Sequence, residues 1–190
     1  VPVLNKNAYD MDMLDIRRAD LFRGPQGTLY GRNSMCGVLS LNTLSPSSYE
    51  GIRAALQYGS ANNVSARASI YRKTKDGLAI GAGVGFSHSD GFYTNSLNGE
   101  RCDPSDGLSL RLKIQKQLRP DLHFENIFSA GALTQGGWPY RLYDNETGRL
   151  ADVAYNDICA YKRLNITEAV KIRKDADHYS LSSISSLQML

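Results

Sequence analysis

Cysteine and histidine are scarce in this sequence, and their spacing indicates no shared site. The three cysteines, Cys36, Cys102 and Cys159, stand too far apart for a zinc pattern, and their odd number is not that of a disulfide framework. The three histidines are scattered along the chain. We therefore expect no resident metal ion and no cofactor, while a Cys102–Cys159 bridge between two loops stays open.

Long apolar runs and a strong net charge are also missing. No stretch reaches the roughly 18–20 residues that a membrane-spanning helix needs, which excludes a helical membrane protein. The net charge of +3 is too small to indicate binding to nucleic acid. The mean hydropathy of −0.36, taken alone, suggests a soluble domain.

Motifs of the common enzyme classes do not occur either. Residues 24–32 are rich in glycine but lack the Gly-Lys-Ser/Thr end of a phosphate-binding loop. No Gly-x-Ser-x-Gly or His-Glu-x-x-His motif is present. We therefore predict no catalytic residues and a chain that is not an enzyme.

Neither end of the sequence resembles a natural terminus. The sequence begins at Val1 rather than methionine, no signal peptide opens it, and its last residues read as the middle of a strand. We therefore expect a piece of a longer protein.

From residue 51 onward, apolar and polar or small residues alternate. Such alternation over eight to ten residues is typical of a β-strand. It predicts about seven strands, at roughly 52–59, 64–73, 78–87, 108–118, 122–133, 164–174 and 179–190. Asn126 and Glu168 fall on faces that should be apolar, which indicates either bulges or a register that is off by one residue.

The connections between these strands differ in length at the two ends. Long connections lie at one end, at about 88–107 and 134–163, and short turns rich in Asp, Gly and Pro lie at the other. This asymmetry is typical of an outer-membrane β-barrel, whose strands cross the bilayer in about ten residues. Seven strands cannot close such a barrel, so further strands would follow Leu190. A soluble β-sandwich alternates in the same way and is the competing interpretation.

The first 48 residues differ from the rest. Arg23 to Asn33 contains three glycines and a proline, which predicts a tight backbone path rather than a regular element. A short strand follows at 38–43, and Ser45-Pro46-Ser47-Ser48 interrupts it. We place a domain boundary there, between residues 1–48 and 49–190.

The segment 16–43 resembles the end of the plug domain of TonB-dependent outer-membrane receptors. It carries Arg-Gly-Pro, Leu-Tyr-Gly and a following glycine in the family's order, and these motif residues are Arg23, Gly24, Pro25, Gly27, Leu29, Tyr30, Gly31, Arg32 and Gly37. Arg17, Ala19 and Cys36 depart from the family pattern. The resemblance implies a mostly β fold, in which the end of an α+β plug domain precedes the first strands of an incomplete antiparallel transmembrane barrel.

Several contacts between plug and barrel follow from this placement. Arg23 and Arg32 can pair with carboxylates of the barrel wall. Tyr30 can anchor in the plug core with its hydroxyl on a polar partner. The inward face of the strand at 78–87, formed by Ala79, Gly81, Gly83 and Gly85, is nearly free of side chains, so the plug has room to pack closely there.

The resemblance also implies a function. It predicts active uptake of a scarce small-molecule ligand, most simply an iron–siderophore complex, by a monomeric receptor in the outer membrane of a Gram-negative bacterium. The partners would be outer-membrane lipid, the ligand and the TonB complex, the last through an N-terminal region missing here. Uptake of haem, cobalamin or a glycan, a barrel that does not transport, and a soluble binding module are the alternatives.

The long connection at 134–163 holds the candidate ligand contacts. Aromatic and cationic side chains together can grip a ferric catecholate or a sugar ring. The candidates are Trp138, Tyr140, Arg141 and Tyr143. The competing interpretation is that these aromatic residues pack the loop onto itself or line the membrane interface.

Overall fold

The fold is almost entirely β-structure, as predicted. We describe it from a computed structural model, which covers residues 14–31, 34–157 and 159–190. Its elements are β1 (Ile16–Arg23), α1 (Gly27–Tyr30), β2 (Gly37–Thr43), β3 (Gly51–Gly59), β4 (Asn63–Lys73), β5 (Leu78–Ser89), β6 (Ser105–Arg119), β7 (Leu122–Gly136), β8 (Tyr143–Asp144), β9 (Arg149–Leu150), β10 (Ala160–Asp175) and β11 (Ser180–Met189). Within these residues no helix has the length and apolar character needed to cross a membrane.

The largest unit is one antiparallel sheet of seven strands. Its order is β3-β4-β5-β6-β7-β10-β11, so each long strand pairs with the next long strand along the chain. All seven predicted strands are present. β6, β7 and β10 are 15, 15 and 16 residues long, which is longer than the alternation predicted. Most of the additional residues are glycines and polar residues, which pair through their backbones although they do not mark a face.

The two ends of this sheet are unlike, as the connection lengths predicted. At one end, here called the loop end, lie the tight turn 60–62 and the two long loops 90–104 and 137–159. At the other, the turn end, the strands are joined by the short turns 74–77, 120–121 and 176–179. The longer loop contains the two-residue hairpin formed by β8 and β9.

The two faces of the sheet are also unlike. The outer face carries exposed aliphatic and aromatic side chains, among them Ile52, Leu56, Leu108 and Leu164. The inner face carries small or cationic residues and meets the chain around Leu14 and Leu44. One group of buried side chains lies where these two leucines meet the sheet, and a second lies in the long loops. The core of the described chain therefore lies between the inner face and the ends of the small sheet.

Neither expected irregularity is found at Asn126 and Glu168. The ladder between β7 and β10 runs without a shift from Lys174↔Leu122 to Ala160↔Gly136. The Asn126 amide donates a hydrogen bond to the Glu168 carboxylate instead. The two polar residues on the outer face thus satisfy each other, and both sequence interpretations, a bulge and a shifted register, were wrong.

The first part of the chain forms a separate two-stranded sheet. β1 and β2 are antiparallel, with Leu21 opposite Leu39. The sequence predicted the second strand but not the first, because charged and apolar residues do not alternate along Ile16–Arg23. The glycine-rich connection contains one helical turn, α1, where no regular element was expected.

Candidate functional site

The residue before β1 and the residue after β2 meet on the inner face of the seven-stranded sheet. The Leu44 amide donates to the Asp15 carbonyl at 2.9 Å, which joins the entry to β1 with the exit from β2. The Tyr71 hydroxyl of β4 donates to the Asp15 carboxylate at 2.7 Å. The Arg53 guanidinium of β3 lies 3.8 Å from the same carboxylate. We call this junction, with the residues described next, the anchor.

The anchor packs against glycines of β5. A Cβ added to Gly83 would lie 2.2 Å from Leu14 Cδ2, and one added to Gly81 would lie 2.6 Å from the Tyr71 ring. Leu14 is only 3% exposed, and Pro46 is fully buried. The sequence had predicted close packing at this bare face, and the structure shows it at Gly83.

A buried ammonium group holds the exit from β2. Lys113 of β6 is 7% exposed, and its Nζ donates to the Leu44 carbonyl at 3.0 Å and to the Thr43 hydroxyl. A buried charge is tolerated only when such partners replace its hydration. Two residues nearer the loop end of β6, the Arg111 guanidinium donates to the Leu14 carbonyl.

The serine-rich break after β2 is fixed to the sheet at its turn end. The Gln115 side-chain oxygen accepts from the Ser45 hydroxyl at 2.7 Å and from the Ser47 amide at 3.1 Å. Its amide nitrogen donates to Glu125 of β7 at 3.0 Å. The anchor therefore consists of backbone groups and small side chains of residues 14–47 held by polar side chains of β3, β4 and β6.

The motif glycines serve the backbone of the small sheet. Gly24 and Gly31 have φ angles of 89° and 76°, which favour glycine. A Cβ on Gly37 would lie 2.5 Å from the Phe22 carbonyl oxygen. Pro25 precedes Gln26, the N-cap residue of α1, and the backbone amide of Gln26 donates to the Ser34 carbonyl at 2.9 Å. Gly27 is the first residue of α1.

The larger motif side chains do not occupy the predicted positions. Tyr30 is 45% exposed and lies beside the Phe22 ring, with 5.7 Å between centroids, rather than in a core. Leu29 is 82% exposed. Arg23 has no ion-pair partner within the described part of the chain, so the expected pairing with the barrel wall is not found. Arg32 lies outside the described residues.

The two long loops pack on each other at the loop end. The Ser96 amide donates to the Val153 carbonyl at 2.8 Å, and the Asn95 side chain donates to the Tyr155 carbonyl at 2.7 Å. Asn95 and Val153 are both buried. A hydrogen bond with the Cys102 thiol raises the pKa of the Tyr155 hydroxyl to about 12. Loop packing therefore joins residues that are far apart in sequence.

The four candidate ligand contacts all lie in the longer loop. Trp138 and Tyr140 are 70% and 81% exposed, and Tyr143 is exposed in β8 opposite Leu150. Arg141 instead donates to the Ala151 carbonyl at 2.6 Å and to the Leu150 carbonyl at 3.2 Å. Three of the candidates thus present aromatic surface to solvent, while the fourth holds the loop hairpin to the following segment.

The cysteines are free thiols in the structure. Cys102, within loop 90–104, is buried, whereas Cys36 and Cys159 are exposed. Gly136 and Gly137, at the end of β7, approach the Cys102 carbonyl and the Cys159 side chain, respectively. No group of three or more His, Cys, Asp or Glu residues in the described ranges could hold a metal ion.

Sequence reasoning missed the polar residues of the anchor. Asp15 had no recognisable motif around it, and Lys113 and Gln115 appeared only as polar positions on one face of an alternating strand. The available signal for Lys113 and Gln115 was that both lie on the same face as the bare Gly81–Gly83 surface. The positive charge of Lys113 would also need polar partners if that position were buried.

The chain is similar in sequence to known transport proteins. It is 32% identical over 152 residues to the vitamin B12 transporter BtuB of Vibrio vulnificus, a match that covers 74% of this chain and 24% of the transporter. It is 32% identical over 84 residues to the pesticin receptor of Yersinia pestis, with 43% of this chain and 12% of the receptor covered. No protein-family model matches the chain.

Solved structures share its fold. The ferric yersiniabactin uptake receptor FyuA from Yersinia pestis matches 92% of this chain with a TM-score of 0.75 and 18% identity. FpvA from P. aeruginosa, solved in complexes with heterologous pyoverdines, matches 87% with a TM-score of 0.70 and 15% identity. The chain spans 28% and 22% of these two receptor chains, so it corresponds to a part of such a protein.

Proposed function

The chain matches one part of the TonB-dependent receptors in sequence and in fold, and on this premise we propose that it belongs to an outer-membrane receptor for active uptake of a scarce ligand. Residues 1–48 are the C-terminal part of the plug domain, and residues 49–190 are the first strands of the barrel. The whole receptor acts as a monomer in the outer membrane of a Gram-negative bacterium. Its work is transport, with no covalent chemistry.

One observation carries this proposal. The two-stranded sheet bears the Arg-Gly-Pro and Leu-Tyr-Gly motif. The residues that precede β1 and those that follow β2 are both joined to the inner face of a seven-stranded antiparallel sheet. A sheet with exposed aliphatic residues outside and cations inside suits a wall between lipid and a polar lumen. A small sheet joined to this inner face supports its assignment to the plug domain.

The proposed mechanism follows from this arrangement. A ligand from outside reaches the loop end, where exposed Trp138, Tyr140 and Tyr143 offer aromatic surface. The TonB complex, energised by the inner-membrane proton gradient, pulls on a plug segment upstream of this chain. The anchor determines which part of the plug stays attached to the wall while the rest is displaced, because its contacts must break before residues 14–47 can move.

We propose an iron–siderophore complex as the ligand. The support is that one structurally similar protein is an uptake receptor for ferric yersiniabactin, and that another was solved in complex with iron and a pyoverdine. Cobalamin is the second candidate, since the relative with the longest match given above is a vitamin B12 transporter.

Uptake by the complete receptor tests the proposal. The receptor is expressed in a Gram-negative host without its own siderophore and cobalamin receptors, with and without a functional TonB. We expect TonB-dependent uptake of radioactive iron supplied as ferric yersiniabactin or ferric pyoverdine. Uptake of labelled cobalamin alone would replace the ligand but keep the transport function. A correctly inserted receptor, shown by heat-modifiable gel migration, that takes up none of the three contradicts the proposal.

A further inference from the structure

The tight turn between β3 and β4 has a backbone that its residues do not favour. Ala61 and Asn62 have φ angles of 58° and 48°, both in the left-handed region. Hairpin turns with two residues of positive φ select Asn-Gly or Gly-Gly, because a Cβ crowds the backbone in this conformation. Asn62 tolerates it, but Ala61 has no polar side chain to compensate. The turn therefore needs support from outside itself.

Asp90, the first residue of loop 90–104, supplies this support. Its amide donates to the Ala61 carbonyl at 2.9 Å, and its carboxylate accepts from the Asn62 side-chain amide at 2.5 Å. The Tyr58 hydroxyl donates to the Asn62 side-chain oxygen at 3.0 Å. The turn 60–62 is thus fastened to the base of the loop through both the backbone and the side chain of Asp90.

His88 of β5 holds the Asp90 carboxylate in this position. Its Nε2 lies 3.0 Å from Asp90 Oδ1, and its Nδ1 lies 2.7 Å from Asp106 Oδ1. Asp106 is at the start of β6, directly opposite His88 in the ladder between the two strands. We call His88, Asp90 and Asp106 the histidine clamp. It joins the end of one strand, the start of the next and the loop between them.

The two contacts determine how many protons the ring must carry. A neutral imidazole has one N–H and one bare nitrogen, whereas an ionised carboxylate can only accept. Both ring nitrogens can therefore donate only when His88 is an imidazolium. A neutral ring leaves a bare nitrogen facing a carboxylate oxygen. The clamp is complete in one protonation state of His88.

The clamp lies beyond the membrane-spanning part of the wall and is open to water. The outer apolar residues of β5 end at Phe86, and His88 follows them towards the loop end. The His88 side chain is 37% exposed, so a proton that leaves the ring passes directly to solvent. The state of the clamp therefore follows the pH outside the membrane.

The surroundings of the ring favour its charged form. The charged or titratable side chains around it are Asp106 of β6, Asp90 and Arg101 of loop 90–104, and Tyr58 of β3. Val64 of β4, opposite the ring, is apolar. Hydrogen bonds to Asp106, and next to Asp90, raise the pKa of His88 above the ordinary histidine value of about 6.5. The clamp then stabilises the folded loop base below that ordinary value, and the stabilisation is lost as pH rises through the raised one.

We propose that His88 is a positioning residue that holds the base of loop 90–104 on the strained turn 60–62 only while its ring is protonated. When the ring loses one proton, the remaining N–H keeps the shorter contact, with Asp106, and the contact with Asp90 is lost. Loop 90–104 packs on loop 137–159 through Ser96 and Val153, so the clamp positions both long loops. This device goes beyond the proposed transport function and requires no ligand.

Hydrogen exchange of the complete receptor in detergent measures the clamp. The reporters are the amides of Asp90 and Asn63, which donate to the Ala61 and Ser60 carbonyls. Exchange is corrected for intrinsic rates and followed from about pH 5.5 to about pH 9. We expect it to be slow at the acidic end and to rise about threefold through the titration of His88, as is usual for exposed ion pairs.

Two substitutions at position 88 separate the charge from the shape of the ring. His88→Arg keeps a permanent charge and several N–H donors, so slow exchange should persist at the alkaline end. His88→Gln offers donors at one nitrogen only and does not titrate, so exchange should be fast and independent of pH. His178→Gln, in the turn 176–179 at the turn end, is the matched control and should keep the original pH profile.

Asp106→Asn tests the proton count itself. The new side-chain amide can donate to a bare Nδ1, so a neutral ring can still donate to Asp90 through Nε2. Slow exchange of the two reporters should then extend into the alkaline range, although His88 is still present. A purely structural contribution of Asp106 would instead make exchange faster at every pH.

Three results would overturn the proposal. An unchanged pH profile in His88→Gln shows that another group, such as Tyr58, responds to pH. A profile that still rises in His88→Arg shows that a permanent charge at this position does not hold the turn. Fast alkaline exchange in Asp106→Asn shows that the number of ring protons does not govern the contact. Exchange is measured without ligand or TonB, so failure of the clamp leaves the uptake result untouched, and the reverse also holds.

Discussion

The inner face of the seven-stranded sheet is divided into two regions that differ in what they contact. Towards the turn end, Tyr71, Lys113 and Gln115 all bind groups of residues 14–47. Towards the loop end, Ser87, Gly107 and Gly131 line a cavity of about 420 Å³. The same strands and the same alternation build both regions. The comparison teaches that alternation determines which side chains face inward, whereas the contacts with residues 14–47 determine where this face is closed.

The largest effect should come from filling the bare surface of the anchor region. Gly83→Leu would place a side chain where Leu14 packs, since a Cβ alone would lie 2.2 Å from it. Overpacking of this kind costs about 3 kcal/mol, or roughly a hundredfold in local opening. Hydrogen exchange of residues 14–48 in the complete receptor should accelerate accordingly.

Ala82→Leu is the control, because it adds the same bulk to the outer face of the same strand. It should leave exchange of residues 14–48 unchanged. Equal exchange in both variants would show that Gly83 is not needed for docking, and the division of the inner face would lose its structural basis.

Removing the buried ammonium should have the next largest effect. Lys113→Met leaves the Leu44 carbonyl and the Thr43 hydroxyl without their donor. An unsatisfied buried acceptor costs about 2 kcal/mol, so exchange around residues 43–45 should rise roughly thirtyfold. Lys116→Met, three residues further on the outer face, should have no such effect. Equal protection in both variants would contradict the role given to Lys113.

A smaller effect is expected from one hydroxyl. Tyr71→Phe removes the donor to the Asp15 carboxylate but keeps the ring that packs on Gly81 and Tyr49. The loss of one such hydrogen bond is about 1 kcal/mol, so exchange of the Leu44 amide should rise about fivefold. Unchanged exchange of the Leu44 amide would contradict the contribution given to this hydrogen bond.

The smallest effect concerns pH at the loop end. Hydrogen bonds from the Thr147 hydroxyl and from the Glu146 and Thr147 amides lower the pKa of Asp144. A lowered folded-state pKa stabilises the β8–β9 hairpin above the ordinary carboxyl pKa of about 3.9, and the stabilisation is lost as pH falls through the lowered value.

Exchange of residues 143–150, corrected for intrinsic rates, should therefore be flat from neutral pH to about pH 5 and rise only below the ordinary carboxyl pKa. Asp144→Asn should remove this dependence, while exchange at the anchor should not follow it. A rise in hairpin exchange already at pH 6 would contradict the assignment to Asp144.

The seven long strands could be predicted because alternation is a local signal. Each strand reveals its two faces from its own residues, as along Leu78–Ser89, and the turns show themselves by Asp, Gly and Pro. The same signal could not give the ends of β6, β7 and β10, because backbone pairing continues through residues such as Gly107 and Gly136 that mark no face. β1 was missed because its own residues do not alternate, and its strand structure follows from pairing with β2.

The candidate site depended on register, which single strands do not specify. Asp15, Tyr71 and Lys113 are 56 and 42 residues apart in sequence, and only the fold brings them to one junction. Asn126 and Glu168 looked like errors of alternation until pairing of β7 with β10 placed them in reach of each other. Residue type was readable from the sequence, whereas proximity was a property of the fold.

The hydrogen bond between the Leu44 amide and the Asp15 carbonyl has a mechanical consequence. It closes the path of the chain through β1, α1 and β2 into a loop whose two ends are fastened at the same place. A tension applied upstream of Leu14 is then carried directly from Asp15 into Tyr71, Arg53 and the neighbouring strands. The small sheet with its Arg-Gly-Pro motif therefore bears no tension until the hydrogen bond between Leu44 and Asp15 breaks. The connectivity of the chain thus determines the order in which these contacts break.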